Sequence, residues 1–167
     1  MPPERRSIVR TGIGYDSHCF APGAALILGG VSIPHERGLV GHSDADAVAH
    51  ALTDAILGAA SEGDIGSLFP NTDPANKNRN SLEMLQIAVD RVESKGFVVA
   101  NADIVVIAEQ PAIGPHRDAM RTALARVLHI SADAVSVKGK SNEGMGWIGR
   151  GEGIACIAIA GLAERGE

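Results

Sequence analysis

The alternation of apolar and polar positions is most informative between His42 and Asp64, HSDADAVAHALTDAILGAASEGD. Its middle is a run of small apolar residues in which alanine supplies helix propensity. Ser43 fits an N-cap, with Asp46 three residues later completing a capping box, and Gly63 fits a stop. Asp46, His50, Thr53 and Asp54 fall on one stripe of this helix. The other faces are apolar, so the pattern predicts a buried helix whose polar stripe needs partners. Those partners are a metal, a ligand or other side chains, and the pattern alone does not choose among them.

Before this helix, Ser7 to Tyr15 reads as a strand that ends in the glycine-broken GIG. Leu26 to Leu28 and Val31 to Ile33 read as a small hairpin across Gly29-Gly30, and His35 to Gly41 as a loop. After it, EGDIGSLFPNTDPANKNRNS is a long polar connection, read as partly mobile, with an apolar patch from Ile65 to Phe69. Ser81 caps a second helix, Leu82 to Lys95, stopped at Gly96. Phe97 to Ala108 is a strand interrupted at Asn101-Ala102-Asp103, and Pro115 opens a third helix to about Leu128. A one-turn element at Ser131 to Ala134, a strand from Val135 to Gly139, a glycine-rich loop and a last strand, Ile154 to Leu162, complete the chain. The expectation is an α/β (α+β) single domain, with a mixed four-stranded sheet covered by helices on one face plus a small hairpin.

The length of 167 residues suits one domain, placed at 8–162, with residues 1–7 read as a disordered N-terminus. A net charge of -5 without a basic cluster argues against nucleic acid. The N-terminal stretch has no apolar core for a secretory signal, and the apolar run after Gly153 is too brief to span a bilayer, so no membrane partner is expected. Cys19 and Cys156 form no CxxC, which fits a reduced, cytoplasmic protein. With 20 glycines and few aromatics, the chain invites close backbone packing and an oligomeric core.

Several residues can carry chemistry. Asp16 and His18 lie two apart, hence on one side of an extended chain. With His50 they offer the N and O donors of a tetrahedral zinc site with one open position. The competing reading is unrelated polar residues, with His50 in a buried hydrogen-bonded pair with Asp46 or Asp54. His42 and Ser43 at a helix start suit a phosphate or a plain cap. Asp64 and Gly66 suit a polyol or an ordinary turn. Lys138, Lys140, Ser141 and Asn142 can meet phosphates, and Glu143 a magnesium carried by them. Arg150 and Glu152 lie in GRGEG, which lacks the P-loop pattern and reads equally as an ion pair.

Taken together, GYDSH at 14–18, HSDAD at 42–46, HALTDAILGA at 50–59, GDIGSLFP at 63–70 and GRGEGIAC at 149–156 resemble the 2-C-methyl-D-erythritol 2,4-cyclodiphosphate synthase family over residues 8–162. The resemblance implies an enzyme of the non-mevalonate isoprenoid route. It converts 4-diphosphocytidyl-2-C-methyl-D-erythritol 2-phosphate to the cyclic diphosphate and CMP. The 2-phosphate attacks the β-phosphorus in line, so neither a protein nucleophile nor a general base is needed. The resemblance also implies a homotrimer with active sites between neighbouring subunits.

Carried over by motif, Asp16, His18 and His50 hold zinc or another divalent cation, and Glu143 holds Mg2+ or Mn2+ with the substrate diphosphate. His42 and Ser43 contact substrate phosphates, and His42, Ser141, Asp16 and His50 are the residues assigned to catalysis. Asp64 and Gly66 bind the ribose. Ala108, Ala112, Ile113 and Gly114, with Gly139, Lys140 and Ser141, enclose the cytosine from the neighbouring subunit. Arg150 and Glu152 line a central channel where some members hold an isoprenoid diphosphate. Ala112 stands where the family often has Lys, Lys140-Ser141-Asn142 where it often has three threonines, and Asn71 where Asp is common. Two readings of another class compete: a phosphate- or nucleotide-binding trimer without catalysis, and a zinc hydrolase using Asp46 as its base.

Overall fold

The computed structural model describes residues 10–166, so the expected disordered N-terminus and the start of the first strand lie outside the described residues. Among the described residues there are seven strands: β1 (Arg10–Pro22), β2 (Leu26–Leu28), β3 (Val31–Ile33), β4 (Arg37–Leu39), β5 (Phe97–Ile107), β6 (Val135–Lys140) and β7 (Gly153–Glu164). Three helices longer than a single turn accompany them: α1 (Ala47–Ala59), α3 (Ser81–Ser94) and α4 (Arg117–Leu128), with α2 (Ile65–Leu68) and α5 (Gly146–Gly149) short. β2 and β3 pair as the expected hairpin, and Gly29 and Gly30 turn it with φ of 58° and 75°.

The main sheet has five strands in the order β4-β1-β7-β5-β6, where the sequence predicted four. β5 and β6 run parallel, and the other neighbours are antiparallel, so the sheet is mixed. The added strand, β4, lies in the stretch read as a loop. It is only three residues long, too short to show a period, and its partners Phe20 to Pro22 are themselves the far end of a longer β1. The interruption expected at Asn101 is a register shift between Val99 and Asn101 within a continuous β5.

All three long helices cover one face of the sheet. On β1 the residues facing them are Gly12, Gly14, Asp16 and His18, and those facing away include Ile13 and Tyr15. The two glycines have a steric reason. A Cβ on Gly12 would lie 1.8 Å from the Ala55 carbonyl oxygen. α1 therefore rests on the β1 backbone, and Ala51 and Ala55 supply the small surface on its side. Further along the same β1 face stand Asp16 and His18, opposite His50 of α1. The uncovered face of the sheet is apolar at Ile13, Tyr15 and Ile159, which are 70, 56 and 41 % exposed.

Two caps differ from expectation. α1 starts at Ala47 with Asp46 as N-cap, not Ser43, because Ala45 sits at φ 59° and breaks any helix running from Ser43. The Asp46 carboxylate accepts from Ala49 N (3.0 Å), Gly29 N (2.8 Å) and Gly30 N (2.7 Å), tying the helix start to the hairpin. α3 is capped by Asn80, whose Oδ1 accepts from Leu82 N at 2.8 Å, and Ser81 is its first helical residue.

The connection between α1 and α3 is folded by its own turns. The buried Asn76 donates to the Pro70 carbonyl at 3.0 Å and accepts from Arg79 Nη1 at 3.0 Å, and Asn78 N donates to the His42 carbonyl at 2.9 Å. No helix among the described residues is long and apolar enough to cross a membrane.

Candidate metal centre and active site

Asp16, His18 and His50 meet. His18 Nε2 lies 2.7 Å and His50 Nδ1 3.1 Å from the same oxygen, Asp16 Oδ2, and the two ring nitrogens are 3.2 Å apart. The three side chains are only 26, 15 and 11 % exposed in that order. The remaining ring nitrogens are already engaged. His18 Nδ1 donates to the Val40 carbonyl at 3.0 Å, which turns its Nε2 inward. His50 Nε2 faces Ser43 Oγ at 2.9 Å and Ser81 Oγ at 2.8 Å. Burial alone raises the Asp16 pKa and lowers that of His18. The mutual hydrogen bonds and charge outweigh it, so the carboxyl sits below and His18 above its ordinary value.

This donor set fits a metal. Each residue offers one ligating atom, and the three N and O donors lie within 4.8 Å of one another, a set that zinc takes. Two of their separations, 3.1 and 3.2 Å, are near the roughly 3.3 Å edge of a tetrahedron with zinc bonds of about 2.0–2.1 Å, and the third, at 2.7 Å, is shorter. They form one wall of a cleft of about 240 Å³, which leaves a fourth position open to a ligand. His42, Ser43, Gly66 and Asn71 line the same cleft. The His42 Nε2 atom is buried and has no hydrogen-bond partner among the described residues.

A second cleft, of about 300 Å³, opens at the C-terminal ends of β5 and β6, two and three strands from β1. Ala108, Ala112, Ile113, Gly114, Gly139, Lys140 and Ser141 all line it. Gly139 is required for its shape, since a Cβ there would meet Ile113 Cβ at 2.9 Å. Glu143 stands beside it on a left-handed turn (φ 53°), with its Oε1 accepting from Ser141 Oγ at 3.3 Å.

The YgbB family model matches residues 9–163. The chain belongs to the YgbB family. It is 55 % identical over 159 residues to the 2-C-methyl-D-erythritol 2,4-cyclodiphosphate synthase of Gemmatimonas aurantiaca, covering 95 % of this chain and 96 % of that one. A solved 2C-methyl-D-erythritol-2,4-cyclodiphosphate synthase in its CDP-bound form superposes with a TM-score of 0.85 at 38 % identity, covering 92 % of this chain and 99 % of that one. The bifunctional IspDF of Campylobacter jejuni gives a TM-score of 0.92 at 43 % identity over 95 % of this chain, which spans 43 % of that protein's length.

In this YgbB-family chain, the remaining predicted residues fall as follows. Asp64 caps α2, accepting from Ser67 N and Ser67 Oγ, both at 2.7 Å, and stays exposed. Arg150 Nε donates to Glu152 Oε1 at 2.8 Å, and this exposed pair lines neither cleft. Asp46 is fully buried and held by three backbone N–H groups, so it is no base for a metal-bound water, which removes the hydrolase reading. Asp54 accepts from Ile65 N at 2.7 Å, and Thr53 Oγ1 donates to the Ala49 carbonyl at 2.7 Å. The polar stripe of α1 is thus divided between the metal centre, at His50, and structural bonds.

Three residues were missed from sequence. Asp44 and Ser81 touch the His50 network. Glu109 accepts from Asn142 N at 2.7 Å and Gly144 N at 3.3 Å and so shapes the loop that carries Glu143. The signal for Ser81 lay in Asn80-Ser81, two cap-competent residues in succession of which only one can cap.

Proposed function

We propose that this chain is a metal-dependent 2-C-methyl-D-erythritol 2,4-cyclodiphosphate synthase. It would release CMP from 4-diphosphocytidyl-2-C-methyl-D-erythritol 2-phosphate as the 2-phosphate closes on the β-phosphorus. The observation that carries this reading is the convergence of Asp16, His18 and His50 on one wall of a cleft, in a chain 55 % identical to a named synthase. When bound, a divalent ion at that wall and another carried with the diphosphate supply positive charge to phosphate oxygens as negative charge shifts to the leaving group.

The chain's own residues do the rest. His42 offers its unpartnered Nε2 to a phosphate oxygen, and Ser43 offers a hydroxyl beside it. Gly66, in the cleft wall, and Asp64, two residues before it, hold the ribose. Lys140 and Ser141 meet the phosphates, and the 108–114 loop with Gly139 encloses the cytosine. Ala112 removes a charge that family members often carry there, and Lys140 adds one. Glu143, whose Oε1 accepts from Ser141 Oγ and whose loop is bound by Glu109, would hold the substrate's cation. Because the attacking oxygen belongs to an anionic phosphate, the protein has no proton to remove. Its contribution is to hold both ends of a bent substrate.

The two clefts share no lining residue within one chain. A homotrimer that seats the second cleft of one subunit over the metal centre of the next unites them. The uncovered apolar face at Ile13, Tyr15 and Ile159 is the surface such a closed ring would bury. Arg150 and Glu152 would face the axis, where an isoprenoid diphosphate fits the arginine. The reading is tested by measuring CMP release with and without chelator and zinc content after purification in metal-free buffer. Metal-independent CMP release, or its absence in zinc-loaded protein, overturns it.

A further inference from the structure

His50 carries more partners than a metal ligand needs. Its Nδ1 faces Asp16 and His18, and its Nε2 faces two serine hydroxyls. The two serines are not equivalent. Ser81 is fully buried, and its hydroxyl donates to Asp44 Oδ1 while its backbone N–H donates to Asp44 Oδ2 at 3.0 Å. Asp44 is in turn placed by its own N–H, which donates to the Arg79 carbonyl at 3.2 Å. An ionised carboxylate only accepts, so the Ser81 proton points at Asp44 and an oxygen lone pair points at His50. If His50 Nε2 also bore a lone pair, the two would face each other at 2.8 Å. The Nε2–H form removes that conflict and turns the Nδ1 lone pair inward. Ser43 Oγ, by contrast, has no carboxylate partner and lines the cleft.

We propose that Asp44 and Ser81 form a fixed relay that keeps the His50 proton on Nε2 and its Nδ1 free for the metal, leaving Ser43 to serve the substrate. Asp44 and Ser81 are positioning residues and Ser43 a binding residue, although both serines touch the same nitrogen. A hydroxyl and carboxylate behind a ligating imidazole act on metal affinity, because they set both the ring's orientation and its basicity. This inference rests on the metal reading of Asp16, His18 and His50.

The test is zinc affinity of the full chain, measured by competition with a colorimetric chelator. Ser81→Ala and Asp44→Asn are each expected to weaken zinc about 10- to 100-fold, with the double variant little worse than either alone. Asn80→Ala removes the true cap of α3 and is the control for damage to that helix. It should lower the melting temperature yet leave zinc affinity within about threefold of wild type. Ser43→Ala should also retain zinc but raise the KM for substrate. Wild-type zinc affinity in Ser81→Ala overturns the relay, as does an equal loss in Asn80→Ala. Failure of the unaltered chain to bind zinc more tightly than His50→Ala overturns the metal reading itself.

Discussion

A β-carbon on Gly14 would lie 1.8 Å from the carbonyl oxygen of Ala51. That contact sets the distance between β1 and α1, and so between Asp16 and His50. Gly14→Ala pushes the helix off the strand. The expected cost is about 2–3 kcal/mol in urea unfolding, with zinc affinity falling in parallel because His50 moves with α1. Gly58, on the same helix, has nothing within 4 Å of its missing Cβ. Gly58→Ala is therefore expected to stabilise the chain by about 0.5–1 kcal/mol and leave zinc binding unchanged. Equal effects at the two glycines would show that the Gly14 contact is not what seats the helix.

Asp46 joins α1 to the β2–β3 hairpin through three backbone N–H groups, those of Gly29 and Ala49 in buried bonds and that of Gly30 in a part-buried one. Asp46→Ala leaves all three without an acceptor and is expected to cost about 3 kcal/mol or more. Asp46→Asn keeps an acceptor oxygen and should recover part of that loss. Calorimetric melting of the two variants checks the order. A neutral Asp46→Ala would mean that the hairpin is held by its apolar contacts alone.

How much of this was legible before the structure depends on the range of each interaction. The strand repeat and the helical stripe single out Asp16, His18 and His50 but leave their meeting open, because His18 and His50 are 32 residues apart; the extended motifs that carry them are what join the three into one ligand set. β4 was not legible, since three residues have no period and its strand status comes entirely from pairing with Phe20 to Pro22. The cap shifted from Ser43 to Asp46 because the left-handed Ala45 is imposed by tertiary structure, and alanine gives no sign of it. Asp44 and Ser81 meet through contacts 37 residues apart, which no local spacing encodes.

Asp103 on β5 accepts from Lys138 Nζ of β6 at 2.8 Å. The lysine, with burial opposing it, holds the Asp103 carboxyl below its ordinary value of 3.8. A carboxyl with a lowered folded pKa adds stability above its unfolded pKa and loses it as pH falls through the folded one. The pair is 42 to 55 % exposed, so its contribution is a few tenths to about 1 kcal/mol. Asp103→Asn should therefore be less stable than wild type at pH 6, with the gap closing toward about pH 3 as the wild-type carboxyl protonates. Denaturant titrations at the two pH values measure it, and a gap that widens in acid contradicts the sign.

The apolar face at Ile13, Tyr15 and Ile159 and the separation of the two clefts make one further outcome specific to assembly. If each site combines the metal centre of one subunit with the Glu143 loop of the next, His50→Ala and Glu143→Ala each silence every site in a pure trimer. In trimers refolded from equal amounts of both variants, a site is intact when its metal half comes from the Glu143 variant and its loop half from the His50 variant. Random mixing makes that about a quarter of all sites, and CMP release should recover to about that share of wild type. Tyr15→Glu in both chains places charge on this apolar face; if the face is the seam of the proposed trimer, the variant abolishes the recovery and sediments as a smaller species. No recovery from mixed trimers that do assemble would place both halves of the site in one chain.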